Sequence, residues 1–206
     1  MKAKEKTPKS ESLRERKKAD VRNTLVNTAV ALFLKKGFDA VTVDEIVEKA
    51  NVSRSTFFRY FPTKEAIVFR HHARRLSSFR SFLEKRDGAG SPVLSLQRAF
   101  DEMGALYMAE RDELMTEYRI VMSSTYLIAR DIELDSRFQH AMIDHLGGAE
   151  EGDARVRARL TGSAIFGMVR AVMEDWFSRG CRGDLIAHNA RVWELFNSGF
   201  GAVHGG

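Results

Sequence analysis

Between Arg54 and Lys64 the chain reads RSTFFRYFPTK, and these side chains suit one kind of chemistry. Arg54 can make a bidentate contact to guanine, and the Phe58 ring can pack on a thymine methyl or a sugar. Arg59 and Tyr60 are placed for phosphate oxygens, and Ser55 shares the outward face with Arg54 and Phe58. Lys64 opens a helix, where a cation is unfavourable by about 0.3–1 kcal/mol. That cost makes sense if a phosphate lies at the helix start, held by the amides and the ammonium together; otherwise Lys64 is an exposed lysine of no consequence. Enzymatic chemistry has no comparable set. The sequence holds no Gly-rich phosphate loop, no nucleophile elbow and no paired-carboxylate signature. His71 and His72 are adjacent on a helix and so do not share a face, and His140, His145, His188 and His204 are scattered, so no metal site is expected. Cys181 lies between Arg179 and Arg182, which could lower its pKa and make it redox-sensitive. No catalytic residue, metal or cofactor is expected.

The elements that must position this segment can be read from period and caps. Val21, Leu25, Ala29, Leu32 and Phe33 share one face of a helix that begins near Arg16 and ends at Gly37. Thr42 and Glu45 form a capping box for a short second helix that buries Ile46 and Val47. Asn51 tolerates a left-handed turn, and Ser53 caps a third helix at 54–60. Pro62 disfavours helical geometry at Phe61 and ends that helix. Phe57 and Phe61 then face the core while Phe58 faces out, which explains why rings and cations crowd together. Three short helices with a tight turn before the last make a helix-turn-helix, which sets the start of its final helix in the DNA major groove. Thr63 caps a long fourth helix over 64–86. Apolar-periodic segments follow near 92–109, 112–123, 125–146, 153–179 and 184–201, with no β alternation of useful length. The expected fold is all-α.

Charge agrees with this organisation. The 206 residues carry a net charge of +5. Residues 1–70 hold 16 Lys and Arg against 9 Asp and Glu, so the whole excess lies in the first third. Charge alone points to nucleic acid or an anionic membrane surface, or to a solvated basic tail. No run is apolar and long enough to span a membrane, the N-terminus has no apolar stretch behind its charges, and the single cysteine fits a reducing cytoplasm.

The stretch VTVDEIVEKANVSRSTFFRYFPTKEAIV closely resembles the N-terminal DNA-binding domain of TetR-type transcriptional regulators, over about residues 16–70. The resemblance implies that Thr42, Arg54, Ser55, Thr56, Phe58, Tyr60 and Lys64 occupy DNA-contact positions. Asn51 stands where the family has Gly, and Phe58 where it has Tyr, which removes a phosphate hydrogen bond. The resemblance also implies a helical ligand-binding and dimerisation domain. The expected organisation is a disordered basic arm at 1–15, the helix-turn-helix domain at 16–62 and the second domain at 63–206, with 63–86 as a linking helix.

Residues in the second domain are compatible with an adaptable apolar pocket. Phe79, Phe100, Met103, Tyr107, Met115, Tyr118 and Trp176 are its candidates, against plain core packing. Ala164, Gly167 and Ala171 form a small-residue stripe, and Leu185, Val192, Trp193, Phe196 and Phe200 an apolar face on the final helix. In the family the last two helices pair with their copies as a four-helix bundle; the alternative is burial within one chain. The expected partners are a pseudo-palindromic operator in double-stranded DNA, a second copy of the chain and a small apolar effector, with no membrane. The wording around the motif is similar to an actinobacterial subgroup whose second domains bind acyl-CoA-like ligands, so a fatty acyl-CoA is the favoured effector and a hydrophobic drug or lipid the runner-up. Arg74, Arg75, Arg98 or Arg130 could meet its head group. A repressor is expected, with an activator, an architectural DNA-binding protein and a helical acyl-processing enzyme as the alternatives.

Overall fold

Thr42 and Ser53 set the geometry of the first part of the chain. The computed structural model describes residues 13–85 and 91–199. Helix α1 spans Leu13–Lys36, so it starts before Arg16; the remainder of the expected arm lies outside the described residues. Gly37, at φ 81°, stops α1 and donates its amide to Phe33 O at 2.9 Å. Thr42 caps α2 (Val43–Ala50), its Oγ1 accepting from the Glu45 amide at 3.2 Å. The Glu45 carboxylate bonds Lys36 instead of reaching back to the cap, so only half of the expected capping box forms. Asn51 adopts the left-handed conformation (φ 53°, ψ 48°), which an Asn tolerates better than most residues. Ser53 caps α3 (Arg54–Tyr60) by accepting from the Thr56 amide at 3.1 Å. Phe61 is extended, as Pro62 requires. A single-turn helix α4 (Glu65–Val68) closes the unit. Its core holds Leu25, Leu32, Phe33, Phe38, Ile46, Phe57, Phe61 and Ile67.

The chain divides into two compact units between Val68 and Phe69. The long helix expected over 64–86 is therefore two helices, α4 and α5 (His72–Glu84), separated by a turn in which the His72 amide bonds Phe69 O at 3.1 Å. No proline or glycine marks this break. Its cause is tertiary: Ile67 and Val68 are buried in the first unit, whereas Leu76, Phe79 and Leu83 are buried in the second.

The second unit continues with α6 (Pro92–Ala109), α7 (Arg111–Val121), α8 (Thr125–His145), α9 (Gly152–Ser178) and α10 (Leu185–Asn197). Ser91, Ser124 and Asp184 cap α6, α8 and α10 with side-chain oxygens. Gly162 lets α9 lie close on α8, since a Cβ there would meet Ile143 Cγ1 at 2.8 Å. Two apolar clusters hold the unit. One joins Phe79, Leu96, Met103, Met142, Ile165 and Trp193; the other joins Leu114, Trp176, Cys181 and Leu185. Among the described residues no strand occurs, and no helix is long and apolar enough to cross a membrane.

Candidate functional site

The outward face of α3 is assembled from its cap upward. Ser53 Oγ lies 2.9 Å from both Ser55 Oγ and Thr56 Oγ1, so the cap fixes the hydroxyls beside it. Phe57 is fully buried, which turns the next ring, Phe58, outward at 46% exposure. The Arg54 guanidinium bonds Asp44 of α2 and lies 5.8 Å from the Phe58 ring centre. Arg59 extends over Tyr60, 5.2 Å from its centroid. This unit thus presents Arg54, Ser55, Phe58 and Arg59 on one exposed helix face, with Thr42 at the head of α2.

Lys64 is placed differently from the sequence expectation. Its Nζ donates to Phe38 O at 2.9 Å and Val41 O at 2.8 Å, and sits 4.2 Å from the Phe38 ring centre. Two of its three N–H donors are committed to the loop between α1 and α2. From its position just before α4 it clamps that loop.

The second unit contains a cavity of about 530 Å³ between α5, α6, α7, α8, α9 and the start of α10. Of the seven residues expected there, Phe79, Phe100, Met103, Tyr107 and Tyr118 line it. Met115 and Trp176 do not. Trp176 is fully buried in the cluster with Leu114 and Leu185, and Met115 packs on that cluster, 3.8 Å from Cys181 Sγ. Phe138, Phe166 and Phe177 complete the apolar wall, with the Tyr118 and Phe177 rings stacked at 4.5 Å.

Sequence reading offered Arg75 for this site but missed the acidic part of the lining and Arg170. Arg75, although 5% exposed, enters the wall from α5, with Nη1 2.8 Å from Glu117 and Nε 3.5 Å from Glu110. Asp131, Asp135, Arg170 and Glu174 also line the cavity. Burial pushes Asp135 up to about 7, assisted by Asp131 and opposed by Arg170. Burial likewise raises Asp131 and Glu117, the latter in spite of Arg75. The signal was present in the i, i+4 spacing of Asp131 and Asp135, which gives two acids one helix face. Of the four arginines proposed for a CoA head group, Arg75 lines the cavity, whereas Arg74 bonds Glu110 at 2.6 Å, Arg130 bonds Glu133, and Arg98 lies 3.4 Å from Ser95 Oγ.

Two further expectations are corrected. Leu185, Val192 and Trp193 are buried inside their own unit, Trp193 within the Phe79 cluster, because α10 turns its apolar face toward α6. Phe196, half-buried, packs on the same cluster, and Phe200 lies outside the described residues. The outward apolar surface lies on α9 instead, where Val156, Leu160, Ala164, Gly167 and Ala171 are exposed. Cys181 is buried, and burial raises its thiol pKa, the opposite of an activated cysteine.

Comparison with known proteins agrees with the arrangement of the first unit. The family model for bacterial regulatory proteins of the tetR family matches residues 25–70. The HTH-type transcriptional regulator TcmR of Streptomyces glaucescens is 29% identical over 184 residues, covering 84% of this chain and 80% of that protein. Among solved structures, FadR of Thermus thermophilus, a TetR-family repressor bound to lauroyl-CoA, aligns with a TM-score of 0.56 at 22% identity, over 84% of this chain and 92% of that one. NalD of Pseudomonas aeruginosa, the secondary repressor of the MexAB-OprM multidrug efflux pump, aligns with a TM-score of 0.64 at 18% identity, over 89% of this chain and 97% of that one. Residues 25–70 thus form a DNA-binding domain of the tetR family of bacterial regulatory proteins, and over most of its length the chain is similar to an HTH-type transcriptional regulator.

Proposed function

We propose that this regulator is a cytoplasmic homodimeric repressor that leaves a pseudo-palindromic operator when a small, largely apolar effector fills the cavity of its second unit. The cavity is the observation that carries the reading. At about 530 Å³ it is large enough for a drug-sized molecule, and such pockets combine apolar walls with a few polar groups. Its lining includes His72, Arg75 and Phe79 of α5. Helix α5 follows α4 after a three-residue turn, so an occupant that shifts α5 has a short covalent path to the DNA-binding unit. The occupant must bind the conformation that releases DNA more tightly than the one that holds it, because equal affinity shifts nothing. On the DNA, Arg54 is assigned to a guanine, Phe58 to a thymine methyl or sugar, and Thr42, Ser55, Thr56, Arg59 and Tyr60 to positioning contacts. In the dimer, α9 pairs with its copy through its outward apolar face.

A second reading, with a fatty acyl-CoA as effector, draws support from the lauroyl-CoA of the Thermus thermophilus neighbour. An acyl chain suits the aromatic wall here.

Selection of bound DNA from random genomic fragments, followed by footprinting, tests the repressor reading. A discrete two-fold site is expected, with half-sites about 34–36 Å apart or a little more if the DNA bends. Diffuse protection without a half-site repeat would instead mark an architectural DNA-binding protein.

A further inference from the structure

Charge in the cavity wall is unbalanced. Four carboxylates, Glu117, Asp131, Asp135 and Glu174, share the lining with two guanidinium groups, Arg75 and Arg170. Arg75 is already engaged by Glu110 and Glu117. Arg170 is divided between Glu174 at 3.2 Å and Asp135 at 3.7 Å. His72 adds little positive charge, since burial lowers its pKa. Asp131 and Asp135 lie four residues apart on α8, where like charges repel across about 5–6 Å. Both carboxyls titrate above their ordinary range, as burial beside apolar walls dictates. A positive group between them would relieve the repulsion and favour the ionised form of each. Arg75 gives a second, independent indication: it is nine-tenths buried, lines the cavity, and its Nη2 finds no acceptor in the protein. A buried donor of this kind calls for an acceptor, which an oxygen on the occupant can supply once a shift of the Arg75 side chain uncovers it.

We infer that the cavity takes a lipophilic organic cation carrying a hydrogen-bond acceptor, with the positive group between Asp131 and Asp135, the acceptor toward Arg75 and the apolar body against Phe79, Phe100, Phe138 and Tyr118. Among the described residues no three His, Cys, Asp or Glu side chains are grouped to hold a metal ion, so the cation is organic. The inference rests on reading the cavity as the effector site. It runs against an acyl-CoA, whose phosphates would have to approach four carboxylates beside only two guanidinium groups, each already paired with acidic side chains.

Three compounds with one acyl chain and different head charges test it: dodecanoylcholine, its neutral carbon isostere 3,3-dimethylbutyl dodecanoate, and lauroyl-CoA. Binding to the full-length protein is measured by tryptophan fluorescence below each micelle concentration, with operator release followed in parallel. Dodecanoylcholine should bind at least about tenfold more tightly than either of the others, equivalent to about 1.4 kcal/mol. Asp131→Asn and Asp135→Asn should each erode that preference for the choline ester over the neutral ester. The comparison on the unaltered protein does not depend on the variants folding. Equal or tighter binding of lauroyl-CoA or the neutral ester overturns the inference, as does a preference that survives both substitutions or no binding of any compound. Preferential binding of the choline ester without operator release leaves the charge inference standing and removes the effector-released repressor reading. Release by lauroyl-CoA alone does the reverse.

Discussion

Lys64 and Arg54 show how two cations ten residues apart take different work. The Lys64 ammonium joins two carbonyls of the loop between α1 and α2, a part-buried, charge-assisted arrangement. Lys64→Met keeps the stem over Phe38 but removes both bonds, and should lower the stability of the first unit by about 1.5–3 kcal/mol in urea unfolding. Arg54 bonds Asp44 with both side chains largely exposed, an ion pair worth under about 1 kcal/mol. Leaving Asp44 for a guanine is therefore inexpensive. Arg54→Ala should cost about 1–3 kcal/mol on the cognate operator and relax base preference at one position, with unfolding unchanged. An Arg54→Ala loss that is equal on random and cognate DNA would remove the guanine assignment. At the same scale, Asp135 holds its proton to about pH 7 when folded but releases it near 3.8 when unfolded. The folded state thus binds more protons in that window, and this contribution to stability declines as pH rises from about 4 to about 7. The half-buried His71, His72 and His145 act in the opposite sense, because desolvation lowers their pKa values. The difference between the unaltered protein and Asp135→Asn isolates the carboxyl. Melting curves across this range should show the variant gaining most at the alkaline end; parallel curves would mean that Asp135 ionises freely in the fold.

Among the elements, α9 and α10 divide apolar work in a way their composition conceals. Helix α10 has the more hydrophobic wording, but Val192 and Trp193 are spent on its own core. Helix α9 buries Ala158, Gly162, Ile165 and Trp176 on one side. It leaves Val156, Leu160, Ala164, Gly167 and Ala171 exposed at steps of four, four, three and four, with Leu160 at 68% exposure. A Cβ at Gly167 would meet nothing within 4 Å, so that glycine is not required by the packing of its own chain. Small residues along such a seam allow a second helix to approach closely. Leu160→Glu combined with Ala164→Glu should yield folded monomers by light scattering, with much weaker operator binding. Trp193→Asp should unfold the second unit instead, since it loses a core indole, a loss of about 3–5 kcal/mol, and buries a charge. A double glutamate variant that remains dimeric would place the interface elsewhere.

For the whole molecule, local signals were enough wherever a cap, a turn or a period acted within a few residues. Thr42, Asn51, Ser53 and Pro62 fix α2 and α3 by short-range hydrogen bonding and backbone sterics, so which side chains of α3 face outward was legible residue by residue. The all-α class followed from period alone, and the caps at Ser91, Ser124 and Asp184 agree with it. Hydrophobic periodicity says that a face is buried but not against what, so α10 could be read as an interface when its partner is the chain's own core. The interruption at Phe69 has no local breaker, and only the separation of two cores makes it. Lys64 reaches carbonyls more than twenty residues away, a pairing that no spacing rule announces. The cavity follows the same logic. Its aromatic half was visible in composition, but its carboxylates and Arg75 come from different helices, and burial perturbs their proton affinities only once those helices meet. Sequence alone determined the all-α class and the helix-turn-helix motif, because caps, turns and periodicity act over a few residues. Tertiary structure decided which apolar faces remain outside and what charge the cavity presents, because both depend on which side chains meet across long stretches of chain.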